Sequence, residues 1–190
     1  MLQIQEFIKT TLGITDPEIA SFLAEVSHWE VVARGSRLVS MGEQPEALPF
    51  LAEGVLRCYV VDENGRDITD CFVSRPGDAA TGCGGLNAPS VVNIEAITDC
   101  QLMFVPLAQL LPLLDHPQML RAYNCHLCRA LYRHWEIKML LYQCSAMERY
   151  QWFLDHYPGL EQVVSGKHVA SFIGITPVTL SRLRHQLKKE

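Results

Sequence analysis

The hydrophobic period of this 190-residue chain changes near residue 115, and that change limits the folds open to it. Between residues 29 and 105, short runs rich in Val, Ile, Phe and Tyr alternate with turn residues, as in β-strands. Beyond residue 115, apolar residues recur every three or four positions, which is the period of an α-helix. The sequence therefore predicts an α+β chain, in which a β domain is followed by a long helix and a helical C-terminal segment.

Five runs in the middle of the chain predict strands, at residues 29–33, 48–52, 54–61, 67–73 and 91–105. Asn64-Gly65 predicts a two-residue type I′ hairpin turn between two of them, because that turn needs positive φ at both central positions. Pro76-Gly77-Asp78 predicts a further turn. Many short strands at this spacing are typical of an antiparallel roll, barrel or sandwich.

Two short helices are expected before the β region. Apolar residues at helical spacing predict the first within residues 2–12, and Asp16 predicts the N-cap of the second. Ile19, Phe22 and Leu23 form the predicted buried face of this second helix.

A long helix is predicted over residues 117–144, with a length of about 42 Å at a rise of about 1.5 Å per residue. Its apolar stripe consists of Cys125, Cys128, Leu131, Trp135, Met139, Tyr142 and Ala146. The rest of a small domain is not expected to cover the whole of this apolar stripe. We therefore expect a homodimer interface formed by Cys128, Leu131, Trp135, Met139 and Tyr142. An internal domain contact would use the same face and stays open as the alternative.

Charge is distributed unevenly along the chain. The net charge is −5, which by itself disfavours nucleic acid, yet residues 165–190 carry a net charge of +4. A basic segment attached to an otherwise acidic chain is typical of a DNA-binding module. A solvent-exposed basic helix end would give the same net charge. The five basic residues of this segment are Lys167, Arg182, Arg184, Lys188 and Lys189.

The strongest functional motif lies in the same segment. Residues 167–173 predict a helix, Gly174 a left-handed turn, and Thr176 the N-cap of a second helix over residues 177–189. This order describes a helix-turn-helix, with a purely structural helical hairpin as the alternative. The second helix can enter a major groove, where Arg182 can bond to O6 and N7 of one guanine. The predicted DNA-binding residues are Lys167, His168, Thr176, Val178, Thr179, Ser181, Arg182, His185 and Lys188.

Residues 168–182, HVASFIGITPVTLSR, resemble the helix-turn-helix of the Crp/Fnr family of bacterial transcription regulators. Weaker similarity extends over nearly the whole chain, for example at residues 50–57, FLAEGVLR, and 94–97, IEAI. The resemblance implies an N-terminal antiparallel β-roll (a double-stranded β-helix) with its preceding helices in residues 1–116, a dimerisation helix in 117–145 and a DNA-binding domain in 146–190. The partners it implies are double-stranded DNA, a second copy of the chain, RNA polymerase and a small-molecule effector.

The effector segment departs from the family pattern. Cyclic-nucleotide-binding members supply a Glu and an Arg to the ligand from the segment that corresponds to residues 79–94, which contains no charged residue here. Burial of a phosphate without a cationic partner is costly, so we expect neither cyclic AMP nor cyclic GMP to bind. The predicted pocket for a different effector consists of Cys83, Gly84, Gly85, Leu86, Ser90 and Val91.

Two further departures concern DNA binding. Val178 stands where the family usually has a Glu that accepts a hydrogen bond from cytosine N4, so the preferred base should differ there, for example in favour of a thymine methyl group. The sequence ends close to the end of the recognition helix, so we expect the β-wing that follows it in the family to be missing.

Other classes of protein fit less well. Cys125 and Cys128 share a helix face, but a structural metal site needs two more ligands, and we interpret them as core or interface thiols. We predict no metal and no cofactor. No His occurs in residues 29–115, which argues against a cupin-type metal enzyme and leaves no enzyme class favoured.

With scattered cysteines and no predicted signal peptide or membrane span, a cytoplasmic location is expected. A degenerate effector-binding or redox-sensing regulator that acts by protein contact without specific DNA binding remains the alternative.

Overall fold

The computed structural model describes residues 3–82 and 85–187. Of the predicted site residues, Cys83, Gly84 and Lys188 lie outside this described part. The chain forms two compact units, Met1–Cys58 with Phe72–Cys128, and Tyr59–Cys71 with Arg129–Glu190. None of the described helices combines the length and the apolar content needed to cross a membrane.

Two helices precede the first strand, α1 (Ile4–Thr10) and α2 (Pro17–Val26). Asp16 caps α2 as predicted, because its Oδ1 accepts hydrogen bonds from the backbone N–H groups of Glu18 at 3.0 Å and Ile19 at 3.1 Å. The prediction that Phe22 belongs to the buried face is wrong, since it is 36% exposed. Ala20 is fully buried beside Ile19 and belongs to the packed face of α2, so Phe22 lies at the edge of that face.

Within the described residues, the β region contains seven strands in two antiparallel sheets. The strands are β1 (His28–Val32), β2 (Arg37–Val39), β3 (Ala47–Glu53), β4 (Leu56–Val61), β5 (Asp67–Val73), β6 (Asn93–Ala96) and β7 (Cys100–Pro106). One sheet has the order β1-β7-β3, and the other has the order β2-β6-β4-β5. The predicted roll is confirmed, although two predictions within it are wrong.

The run over residues 91–105 predicted one strand, and the structure has two, β6 and β7. Thr98 lies between them, and its Oγ1 accepts a hydrogen bond from the backbone N–H of Val55 at 2.9 Å, which holds a turn at that point. The strand β2 was not predicted, because its three residues are too few to show the alternation of apolar and polar residues that marks a strand.

The hairpin between β4 and β5 is confirmed, but its turn type is not. The N–H of Gly65 donates to the carbonyl of Asp62 at 2.9 Å, so the central residues of the turn are Glu63 and Asn64. Gly65 follows at φ +76° and completes a three-residue loop. The Asp62 carboxylate accepts from the backbone N–H groups of Asn64 and Arg66 and thereby stabilises the wider loop. The bond from Arg66 is the largest influence that holds the pKa of Asp62 below its usual range.

The described residues after β7 are mainly helical. After α3 (Leu107–Leu110) and a short 3-10 helix, the helices are α4 (Pro117–Gln143), α5 (Ala146–His156), α6 (Leu160–Val163), α7 (Gly166–Phe172) and α8 (Pro177–Leu187). The 27-residue α4 confirms the long helix. Ala146 is not part of its stripe, because Ser145 and Glu148 form a capping box that starts α5 there.

The four-stranded sheet contains a buried ion pair. Arg57 on β4 is 1% exposed, and its Nη1 donates to Oε1 of Glu95 on the neighbouring β6 at 2.8 Å. Removal of a guanidinium from water is costly, and the carboxylate offsets that cost only while the pair is intact. No ion pair between these two residues was predicted from the sequence.

Candidate nucleic-acid interface

Helices α7 and α8 form the predicted helix-turn-helix. Ser165 caps α7, and Thr176 caps α8 by accepting a hydrogen bond from the backbone N–H of Thr179 at 3.1 Å. Between the helices, the N–H of Ile175 donates to the carbonyl of Ala170 at 2.9 Å, while Gly174 adopts φ +64°. The turn therefore has the left-handed residue and the N-cap at the positions that the sequence predicted.

Arg149 on α5 holds the turn from the outside. Its Nη1 donates to the carbonyl of Ile173 at 2.9 Å and to that of Gly174 at 3.2 Å, so it satisfies carbonyl groups that the end of α7 leaves open. A Cβ at Gly174 would lie 3.0 Å from Leu141 Cδ2 and 3.1 Å from this guanidinium. The φ of residue 174 therefore favours glycine, and any larger residue would also make the Leu141 and Arg149 side chains move by a few tenths of an ångström.

The inner faces of the two helices are packed. Val169, Ala170 and Ile173 are fully buried, as the apolar pattern predicted, and Leu180 and Leu183 of α8 are buried too. Aromatic rings add to this core, which includes Trp152, Phe153, Tyr157 and Phe172. Such packing fixes the orientation of α8, and a recognition helix needs a fixed orientation to contact specific bases.

The outer face of α8 is open. Val178 is 62% exposed, and Ser181, Arg182 and His185 are exposed on the same side. Thr176 is exposed as well, whereas Thr179 is half-buried and shares its hydroxyl with the cap, 2.9 Å from Thr176 Oγ1. The core of its own unit does not use this face.

Two basic residues of the motif are paired within the unit. Lys167 Nζ lies 3.1 Å from Oδ1 of Asp67, and Arg184 Nε donates to Oε1 of Glu161 at 2.5 Å. Within the described residues 165–187, Arg182 is thus the basic side chain with no acidic group in ion-pair range. The net charge of residues 165–190 therefore overstates the positive charge that the motif exposes, because the acidic partners lie outside its two helices.

Tyr150 completes the polar cluster around Arg184. Its hydroxyl donates to Glu161 Oε1, the same oxygen that Arg184 contacts. Burial, with the Glu161 bond second, raises the pKa of Tyr150, so it remains a phenol donor at neutral pH. This cluster connects α5, α6 and α8 and belongs to the support of the motif. His168, which sequence analysis placed with the DNA contacts, is half-buried.

Comparison with known proteins agrees with this architecture. Residues 29–116 match the family model of the cyclic nucleotide-binding domain. The sequence matches none of the curated proteins. Among solved structures, FixK2 from Bradyrhizobium japonicum superposes with a TM-score of 0.76 at 22% identity, over 86% of this chain and 85% of that chain. CLP of Xanthomonas campestris, described as a c-di-GMP responsive global regulator, gives a TM-score of 0.73 at 15% identity over 92% of each chain.

A third structure, a CRP/FNR-family transcriptional regulator from Thermus thermophilus, gives a TM-score of 0.70 at 20% identity, over 85% of this chain and 86% of that chain. The chain has the fold of the CRP/FNR transcription regulators. The fold predicted from the sequence is therefore confirmed, from the β-roll through the long helix to the C-terminal helices.

The long helix of this CRP/FNR fold exposes the face that the sequence assigned to a dimer. Leu131 is 72% exposed, Trp135 56% and Tyr142 78%, with Cys128 exposed and Met139 half-buried beside them. The opposite side of the same helix contributes the buried Ile137 and Leu140. Large apolar side chains thus remain uncovered along α4 in the single chain.

The predicted effector segment of this CRP/FNR fold has mixed surroundings. Ser90 is buried, and its Oγ donates to the carbonyl of Val92 at 2.6 Å. Leu86 is half-buried against the apolar core, whereas Gly85 and Val91 face solvent. Ser90 therefore holds its own turn and does not face the same side as Val91.

This arrangement supports the expectation that cyclic AMP and cyclic GMP do not bind. Residues 79–94 carry no charge, and the cation of Arg57 already pairs with Glu95 inside the roll. A cyclic phosphate buried there would have no charged partner from this segment. Isothermal titration calorimetry with either nucleotide should therefore give no binding heat at micromolar concentrations, and a saturable micromolar isotherm would contradict the prediction.

Proposed function

We propose that this chain is a DNA-binding transcription regulator that acts as a homodimer and recognises a near-palindromic site through α8. The observation that carries the proposal is the open outer face of α8, on a motif whose inner face, caps and turn are all fixed by packing and hydrogen bonds. A helix held in this way can be inserted into a major groove without reorganisation.

The side chains on that face suggest how bases are distinguished. Arg182 can bond bidentately to guanine, Ser181 and His185 can contact either bases or phosphates, and Val178 offers an apolar contact to a thymine methyl group. Lys167 contributes less to phosphate binding than its charge suggests, because Asp67 already neutralises it. Base contacts and a second recognition helix therefore account for much of the proposed affinity.

Selection of binding sites from a randomised pool of double-stranded DNA tests this function. We expect an enriched near-palindrome whose half-sites are about one helical turn, or about 34 Å, apart. Lys167 and Arg184 each form an ion pair with an acidic residue of the chain. This favours one competing function, a regulator that acts by protein contact without specific DNA binding. That function predicts no enriched sequence at any salt concentration, and such a result would contradict our proposal.

The homodimer is tested at α4. A Trp135→Glu change places a charge in the proposed seam, where it would be desolvated without a partner. We expect the dimer dissociation constant to rise at least tenfold, and Leu131→Glu should act in the same way. Sedimentation of wild type and variants over a concentration series measures this constant.

Val31→Glu is the matched control for the dimer test. Val31 is an exposed apolar residue of β1, so the same charge is added at an exposed apolar residue that is not part of α4. We expect this variant to remain dimeric. A wild-type mass of one chain at micromolar concentration, or equal weakening in the control, would exclude α4 as the interface.

The remaining partners follow from the proposed function. A regulator of this kind works together with RNA polymerase, in the cytoplasm, where bacterial DNA is found. The effector we propose is a small molecule other than cyclic AMP or cyclic GMP, because the effector segment lacks charge.

A further inference from the structure

Three side chains that can bind a metal ion meet in the second unit. Asp70 and Cys71 are consecutive residues of β5, and His134 lies on α4. Their ligand atoms, a carboxylate oxygen, Sγ and an imidazole nitrogen, all lie within 4.8 Å of one another. Nδ1 of His134 is 3.9 Å from Oδ1 of Asp70. Elsewhere in residues 3–82 and 85–187, no three such residues come this close.

This convergence is unusual for neighbours in a strand. Successive side chains of a regular strand point to opposite faces, which would direct Asp70 and Cys71 away from each other. The burial pattern of β5 departs from strict alternation here, since both residues are half-buried. Both can therefore present their ligand atoms to the same residue of α4.

The three groups match the ligand chemistry of zinc. Thiolate, imidazole and carboxylate are its usual protein ligands, and the thiolate disfavours Mg²⁺ and Ca²⁺, which prefer oxygen. From metal–ligand distances of about 2.0–2.3 Å, two ligand atoms on one tetrahedral zinc ion lie about 3.3–3.6 Å apart. Since the ligand atoms lie within 4.8 Å of one another, the spacing needs to close by at most about 1.5 Å, which side-chain rotation can supply.

We propose that Asp70, Cys71 and His134 bind one Zn²⁺-type thiophilic cation, with a water molecule as the fourth ligand. On binding, the Cys71 thiol releases one proton to solvent and binds as the thiolate. Neutral His134 donates the lone pair of Nδ1, and Asp70 binds as its carboxylate. No oxidation or reduction is involved.

The surroundings permit such an ion to enter and leave. The side chains of Asp70 and His134 are 34% and 40% exposed, so the site is open to solvent on one side. The same strand contacts the helix-turn-helix close by, where the Thr69 N–H donates to Ser171 Oγ at 2.9 Å. The ion would therefore tie α4 to the strand that also holds α7. The site itself rests on ligand chemistry and does not depend on the proposed function.

The other thiol pair of the chain provides the rival site. Cys125 and Cys128 are exposed on α4, one helical turn apart, and the described residues include no third ligand within bonding range of both. A double Cys125→Ser/Cys128→Ser variant is therefore the matched control, because it removes two accessible thiols and leaves the proposed site intact.

The test is a titration of the reduced full-length chain with Co²⁺, whose sulfur-to-cobalt charge-transfer absorption reports thiolate ligation, followed by competition with Zn²⁺. We expect one Co²⁺ per chain in wild type and in the Cys125→Ser/Cys128→Ser control. Cys71→Ser should lose the charge-transfer band. His134→Gln and Asp70→Asn should retain it with at least tenfold weaker binding. Circular dichroism establishes that each variant is folded.

Three results would overturn the inference. The first is no uptake of Co²⁺ by wild type at micromolar concentrations. The second is an unchanged band in folded Cys71→Ser. The third is loss of the band in the Cys125→Ser/Cys128→Ser control, which would assign the metal to the thiols of α4.

Discussion

An Arg182→Ala variant is expected to bind its DNA site with about 1–3 kcal/mol less free energy per half-site, which amounts to about 5–150-fold per half-site in a dimer. Arg182 is exposed on the outer face of α8, whereas its neighbour Leu183 is buried. The change would therefore remove the proposed base contact without disturbing the core. The preference for a particular base should weaken at one base pair of each half-site, and the base preferences at the other positions should not change.

Binding-site selection and gel-shift titration at fixed salt measure this effect. Arg182→Lys keeps the charge but loses the planar fork, so it should recover phosphate attraction and not the base preference. Arg34→Ala is the control of equal charge, because the hydrogen bond of Arg34 to Asp99 uses its backbone N–H and survives the change. If Arg182→Ala selects the same bases with undiminished affinity, α8 does not contact DNA through this residue.

An Arg57→Met variant is expected to lose about 3–5 kcal/mol of unfolding free energy. The substitution keeps the length of the buried side chain and removes its charge, so the Glu95 carboxylate, only 22% exposed, is left without its partner inside the roll. A double Arg57→Met/Glu95→Leu variant should recover most of the loss, because an apolar pair of similar volume fills the same space without a charge.

Urea unfolding followed by circular dichroism measures these differences. Arg66→Met is the matched control, since Arg66 also forms a 2.8 Å ion pair, with Asp62, but in a hairpin loop where the guanidinium is 77% exposed. Solvent screens that pair, so the control should change stability little. A loss for Arg57→Met no greater than for Arg66→Met would show that burial does not make the Arg57 pair important.

The sequence predicted those parts of the fold that depend on neighbouring residues. Asp16 and Thr176 act as N-caps, and Gly174 adopts a left-handed φ, because each needs only residues a few positions away. The long stripe on α4 is equally local. The loop at Asn64-Gly65 was predicted at the right place but with the wrong turn, because the Asp62 carboxylate stabilises the wider loop and the dipeptide alone does not show this.

Contacts between distant segments could not be predicted in this way. Lys167 was expected to face DNA, and only the structure shows Asp67 beside it. His134 and Cys71 likewise come together because β5 packs on α4, which no local pattern encodes. The DNA-contact residues, the effector pocket and the dimer face remain predictions, since their tests need DNA, a ligand or a second chain.

The composition of the second unit has a practical consequence for dissection of the protein. This unit takes Tyr59–Cys71 from the middle of the chain and joins it to Arg129–Glu190. A fragment that begins at Arg129 would therefore lack Asp67 and Thr69, the hairpin residues that contact α7. Single-cut truncation does not yield the complete unit. A chimaera that joins this unit to the β region of another protein of the same fold needs three junctions, after Cys58, Cys71 and Cys128, if the transplanted unit is to keep its hairpin.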